Sequence, residues 1–225
     1  MPLTSTDLQV PSLVDAVYAA VRGKILNGEL PGGSPLTELD LASAYSVARP
    51  TAKAALERLV HDGLLRRSSN KTARVPVLES DDIRDLYFSR TFLEREVMVT
   101  LADRRYVPDA ARATVQELHE AASTTDVPLV VGVDVAFHTA LFDAIGSPRL
   151  NRLYQSLMGE VHLCMAQVQS HHLLSPHRIA DEHRSILDAI EGGDKRRAAD
   201  EITSHLARAC QRLVAYVEGQ VSDDD

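Results

Sequence analysis

The 225-residue sequence predicts a mainly α fold in two parts: three short helices closed by a small β-hairpin, then an all-α antiparallel helical bundle. Three observations lead there. From Ser80 onward apolar residues recur at three- and four-residue spacing, with no strand-like alternation. Strand character is confined to Leu64–Arg67 and Thr72–Val77, on either side of Ser68-Ser69-Asn70-Lys71. Charge divides at the same place: through Val77 nine Lys/Arg stand against seven Asp/Glu, whereas from Leu78 onward fifteen stand against twenty-five.

The elements follow in order. Residues 1–11 read as a flexible N-terminus, without the basic and apolar regions of a secretory signal. The first folded part spans 12–77. Ser12 with Asp15 three residues later resembles a capping box, and Leu13, Val17, Val21 and Ile25 continue as an amphipathic helix to Asn27-Gly28. Two prolines and two glycines between Leu30 and Pro35 break the chain. Thr37 with Asp40 opens a short helix through Ala44. A third helix runs from Arg49 to Asp62 and stops at Gly63, a natural left-handed C′ residue. Ala52, Ala55, Leu56 and Leu59 form its inner stripe, leaving Arg49, Lys53 and Arg58 outward. The two short strands then form a basic hairpin beside it.

The second part spans 78–219 and reads as six helices, near 81–104, 108–123, 129–145, 148–168, 176–191 and 194–218. Breaks fall at Pro108, Pro128, Pro148, 170–176 and Gly192-Gly193, and Asp194 is placed to cap the last helix. Residues 220–225 form an acidic tail. Short turns between many helices imply an antiparallel bundle, an architecture that builds ligand and metal sites from inward side chains.

Composition narrows the function. No run of 18 apolar residues exists, so no membrane span is expected. Cys164 and Cys210 lie in helical patterns without metal-knuckle spacing and read as core residues of a reduced, cytoplasmic protein. The net charge of −8 argues against a nucleic-acid partner for the chain as a whole. Residues 49–74, however, hold seven basic side chains against Glu57 and Asp62, and a phosphate backbone responds to such a local patch. A helix fits the major groove, and a basic hairpin beside it can lie along phosphates or enter the adjacent minor groove. The plainer reading of the same residues is a three-helix cluster with solvated charges.

In the second part Asp134 and His138 are i and i+4 on one helix and share a face. His183 and His205 each sit in an apolar stripe of a later helix. One carboxylate and three imidazoles suit a divalent ion, Zn²⁺ above all with Ni²⁺ or Mn²⁺ compatible, and leave coordination positions for water or a ligand carboxylate. With nine histidines in the chain, chance placement is the competing explanation. His61, His119, His162, His171, His172 and His177 take that plainer reading.

Residue runs then add a resemblance. Val21-Arg22, Ile25 to Gly32, Leu36-Thr37-Glu38, Leu41-Ala42, Val47-Ala48-Arg49, Ala55-Leu56, Leu59 and Asp62 to Leu65 resemble the GntR-family winged helix-turn-helix throughout its length. The resemblance implies a sequence-specific DNA-binding transcription regulator. Arg49, Thr51 and Lys53 would contact operator DNA from the recognition helix, with Asn70 and Lys71 assisting from the wing. Ala48 stands where a capping Ser is common, so one helix-start hydrogen bond is missing unless Ser46 supplies it. Lys53 in place of Arg loses a bidentate fork for guanine.

Arg90 to Glu94, Asp134 to His138, Glu182 to Ile190, Gly193-Asp194 and His205-Leu206 resemble the FCD domain of FadR-type GntR regulators, and the six helices favour the VanR-like subgroup. This resemblance implies metal ligation by Asp134, His138, His183 and His205, and an effector-facing Arg90 suited to a small carboxylate. A local i,i+4 salt bridge from Arg90 to Glu94 is the other reading of that arginine. The combined expectation is a homodimeric repressor, released from its operator by a small organic acid bound at the metal. A regulator sensing the metal itself and a metal-dependent hydrolase stand as alternatives. The hydrolase would need an acid–base partner, and Glu182, next to a ligand, would point in a different helical direction.

Overall fold

The computed structural model describes residues 12–67, 72–121, 126–167 and 175–219. Among these the order is α1 (Leu13–Leu26), β1 (Pro35–Leu36), α2 (Glu38–Ala44), α3 (Arg49–His61), β2 (Ala73–Arg74), α4 (Ser80–Arg104), α5 (Asp109–Ala121), α6 (Val127–Asp143), α7 (Pro148–Gln167), α8 (Pro176–Gly192) and α9 (Lys195–Val217). The N-terminal segment through Pro11, the wing tip with Asn70 and Lys71, the His171-His172 pair and the acidic tail lie outside the described residues. None of the described helices is long and apolar enough to cross a membrane.

Side-chain chemistry starts the helices where local sequence requires. Ser12 and Asp15 form a full capping box on α1, and Thr37 and Asp40 do the same on α2. Asp194 accepts from the Arg197 amide at the head of α9. The start of α3 has no such bond. Its N-cap is Ala48, and Ser46 does not substitute, since it sits in the left-handed region at φ +52°. Gly63 ends α3 at φ +72°, a conformation that costs a glycine little.

The sheet differs from the expected hairpin. Leu64 and Leu65 both donate backbone N–H to the Leu59 carbonyl and bury their side chains, closing the end of α3 instead of running as a strand. Among the described residues, what remains of the hairpin is a bridge between Arg66 and Arg74. The other side of β2 pairs antiparallel with β1, Pro35 opposite Arg74 and Leu36 opposite Ala73. A two-residue strand inside a Pro/Gly-rich break carries no alternation to read, which is why β1 escapes the sequence pattern.

Val17, Val21 and Ile25 of α1 pack with Ala52, Ala55, Leu56 and Leu59 of α3. Each fully buried aliphatic side chain of this kind contributes about 1.5–3 kcal/mol relative to exposure. In the bundle α4 packs along α9, α5 lies against α6 and α8, and α7 packs on α6. Helix α7 also meets the N-terminal unit. Ser156 donates to the His61 carbonyl at 2.9 Å, Gln167 to the Pro76 carbonyl at 2.7 Å, and Arg66 pairs with Glu160 at 3.0 Å. Gly159 makes this approach possible: a Cβ there would collide with the Asp62 carbonyl.

Candidate functional site

Asp134 and His138 project from α6, His183 from α8 and His205 from α9, and all four are buried. Their nearest ligand atoms lie within 4.8 Å of one another. The fold therefore brings together all four residues that the sequence singles out as ligands. His183 Nε2 stands 3.3 Å from Asp134 Oδ1 but out of hydrogen-bond alignment, and His138 Nε2 stands 3.9 Å from the same oxygen, beyond hydrogen-bond length. The Phe137 ring stacks on His183 at 3.6 Å and 6°, fixing that imidazole's plane.

Two carboxylates behind the cluster set the histidine tautomers. Glu94 Oε2 lies 2.6 Å from His138 Nδ1, and Glu182 Oε2 lies 2.8 Å from His205 Nδ1. An ionised carboxylate only accepts, so each Nδ1 carries the proton and each Nε2 lone pair is left for the centre. Burial pushes Glu94 up, but Arg90 and His138 outweigh it and hold the carboxyl at about 2. Burial likewise raises Glu182, and bonds from His205, Arg208 and Arg178 bring it to about 2. Asp134, raised by burial, ends well below the usual carboxylate range because His183 and His138 face it. Burial lowers His183 and His205, which favours the neutral imidazole that binds metal.

Buried polar atoms nearly always find a partner, so exceptions carry information. Among the described residues His138 Nε2 and both ring nitrogens of His183 have none, nor do Arg90 Nη2 and the Tyr87 hydroxyl. The unpaired imidazole nitrogens and the acidic oxygen are the donor set a borderline divalent ion takes, and the residues fit such an ion.

Arg90 bears out one of its two sequence readings, the local salt bridge. Its Nε donates to Glu94 Oε1 at 2.8 Å, so the i,i+4 salt bridge exists, and both partners are buried. Its Nη2 stays without a partner, and the guanidinium sits 4.9 Å over the Tyr87 ring. Glu94 is the junction: it also accepts from the Tyr154 hydroxyl at 2.9 Å. Sequence reasoning treated Glu94 only as a local salt-bridge partner and left Glu182 without a role. The signal for Glu182 was present, since it adjoins His183 and follows Arg178 by four residues.

Arg49 and Lys53 are exposed on α3 and Thr51 is half-buried. Lys53 Nζ lies 3.8 Å from Glu57, a pair too exposed to restrain it. Arg49 and Arg67 share a groove with Thr37 and Thr72 between the start of α3 and the wing. Arg67 is a cation beside Arg49 that the residue list from sequence omitted. Arg58 is exposed, as expected, but it is not free. It donates to Asp15 at 2.7 Å and stacks over Tyr18 at 4.0 Å, bracing α3 on α1.

Comparison with known proteins decides the family. Residues 13–75 match the bacterial regulatory proteins of the gntR family, and residues 85–208 match the FCD domain. The chain belongs to the GntR family of FCD-bearing transcriptional regulators. Among relatives of this GntR regulator, the probable D-xylose utilization operon transcriptional repressor of Paenarthrobacter nicotinovorans is 27% identical over 92% of this chain and 91% of its own. LutR of Bacillus subtilis is 26% identical over 88% of this chain and 99% of its own. A solved GntR regulator from Rhodococcus sp. RHA1 shares the fold at TM-score 0.70 and 23% identity, covering 93% of this chain and 99% of that one. McbR/YncC of E. coli shares it at TM-score 0.74 and 18% identity, covering 94% and 99%. These similar proteins are regulators, and the GntR protein described here is a transcriptional regulator, not an enzyme.

Proposed function

We propose that the protein is a homodimeric operator-binding repressor, released when a small organic acid binds at a divalent metal, Zn²⁺ in the first instance, inside the helical bundle. The observation that carries this reading is the buried cluster itself, with four donors converged, two histidine tautomers preset, and an unsatisfied Nη2 on the Arg90 that pairs with Glu94. Asp134, His138, His183 and His205 would hold the ion. When bound, it supplies a Lewis-acidic anchor for a ligand carboxylate oxygen.

The remaining work belongs to this chain's side chains. Glu94 and Glu182 keep His138 and His205 oriented. Arg90 presents a fixed cationic donor to an entering carboxylate, and Phe137 shields His183 from water. Residues 12–77 are the DNA-reading part, with Arg49, Thr51, Lys53 and the wing residues Asn70 and Lys71 as its contacts; residues 78–219 are the sensing part. Phe88 and Phe92, one turn apart on α4, are 72% and 69% exposed and support a second copy covering that face. A relative named for repression, NanR of Enterobacter sp. (strain 638), 25% identical over 92% of this chain, supports the repressor reading.

Regulation by metal alone uses the same cluster, but the unpartnered Arg90 Nη2 and Tyr87 hydroxyl favour an organic anion, since a bare cation leaves both unsatisfied. Elemental analysis of the purified protein tests the reading. One divalent ion per chain is expected, lost in His183→Ala and in His205→Ala. Stoichiometric metal retained in either variant contradicts the assignment.

A further inference from the structure

A groove of about 530 Å³ opens between the N-terminal unit and the bundle; none of Arg49, Thr51 and Lys53 lines it, nor does any of the four clustered Asp/His side chains. Helices α1 and α3 form one wall, α6 and α7 the other. Among its charged lining side chains Arg22, Arg58 and Arg152 stand against a single acid, Asp62. That balance is unusual in a chain of net charge −8.

The three arginines are not equally engaged. Arg58 is neutralised by Asp15 and pinned on Tyr18. Asp62 is occupied on one oxygen by the Tyr18 hydroxyl at 2.6 Å. Arg22 has no carboxylate partner among the described residues; its Nη2 rests 3.2 Å from His162 Nδ1. Burial and the adjacent guanidinium lower His162 to about 4, so that ring is neutral and offsets no charge. Arg152 is exposed and forms no ion pair among the described residues. Two uncompensated guanidiniums on opposite walls, one from each part of the chain, thus face one concavity.

We propose that this groove is a second ligand site, taking a small phosphate-bearing anion. A phosphomonoester carries about −1.5 to −2 charge at pH 7 and three acceptor oxygens, which matches two planar donor forks better than a single carboxylate does. A ligand touching Arg22 and Arg152 together joins α1 to α7. It therefore binds tightest to one placement of the N-terminal unit on the bundle, and operator affinity must respond to it by linkage. The site is independent of the metal reading, because none of its lining residues is a proposed metal ligand.

The test uses the full-length, metal-loaded protein in isothermal titration calorimetry with inorganic phosphate and with ribose 5-phosphate, against acetate and chloride at matched ionic strength. Saturable one-to-one binding of the phosphates is expected, weakened about tenfold or more in Arg22→Gln and in Arg152→Gln, with metal content unchanged. Arg152→Gln alters a solvated side chain, so it remains informative if Arg22→Gln fails to fold. Three results each overturn the proposal. One is the absence of binding beyond the chloride control. Another is phosphate affinity unchanged in Arg152→Gln. The third is phosphate binding that disappears in His183→Ala, which would locate it at the metal cluster. Variants that lose operator affinity while the wild type binds no phosphate would assign the groove to the DNA backbone instead.

Discussion

Glu94 is the side chain on which the candidate metal centre most depends without belonging to it, and Glu94→Gln exposes why. The carboxylate accepts three bonds, from Arg90 Nε and the Tyr154 hydroxyl on Oε1 and from His138 Nδ1 on Oε2. An amide can accept on one side only. If its oxygen serves Arg90 and Tyr154, its NH₂ meets the Nδ1 proton of His138. The ring must then move its proton to Nε2, the nitrogen that would bind metal. If the amide turns over, the NH₂ opposes Arg90 and Tyr154. Either the proton sits on the metal-binding nitrogen or a donor faces a donor, and in both cases Arg90 becomes a buried charge without a counterion. Losing the carboxylate behind a ligand histidine typically lowers metal affinity 10–100-fold, about 1.4–2.7 kcal/mol. Breaking the buried pair destabilises the fold by about 3–5 kcal/mol. The assays are competition with a chromophoric chelator and urea unfolding. The double variant Arg90→Met/Glu94→Gln removes the pair as a unit, so it should regain much of the stability and none of the metal affinity. Metal affinity within twofold of wild type in Glu94→Gln would refute the tautomer argument, and stability unchanged in that variant would refute the buried-pair argument.

Two further outcomes follow from particular residues. Ala48 holds extended N-cap geometry with no side-chain bond, so Ala48→Ser should stabilise the chain by about 1 kcal/mol in urea unfolding; no gain would show that the α3 amides are already satisfied. His162 is held at about 4 in the folded chain, below its ordinary 6.5, so between those pH values the unfolded chain binds more protons. Its share of stability is present above pH 6.5 and is lost as pH falls toward 4, by up to about 3 kcal/mol. His162→Gln should flatten the stability profile across that window in urea titrations at successive pH values, and an unaltered slope would contradict the burial argument.

How much of this was legible depended on the range of each interaction. Capping boxes at Ser12 and Thr37 and the cap at Asp194 were readable because each is closed within four residues. The pairing of Asp134 with His138 is a helix-face relation and was equally local. His183 and His205 were candidates from their apolar stripes, and the resemblance strengthened them, since nothing in their own stretches says that α8 and α9 turn those faces to α6. The contact of Glu94 with His138 crosses from α4 to α6, and no local pattern announces it. Leu64 and Leu65 looked like a strand because apolar runs of that length are ambiguous, and the Leu59 carbonyl decided otherwise. The outward Arg58 gave no local sign of its partners, because Asp15 and Tyr18 lie forty or more residues earlier. Arg90 was open to two readings, and the local one, its i,i+4 pair with Glu94, is the one the fold forms.

The central claim is that occupancy of the buried cluster controls the grip of α3 on DNA. An operator fragment titrated with metal-loaded protein, with and without a small carboxylate that calorimetry shows to bind the cluster, tests it most directly. A fall in operator affinity on ligand binding is predicted, with Arg49→Ala losing about 1–3 kcal/mol of specific binding in the ligand-free arm. Operator affinity that stays the same while the cluster is demonstrably filled would contradict the account.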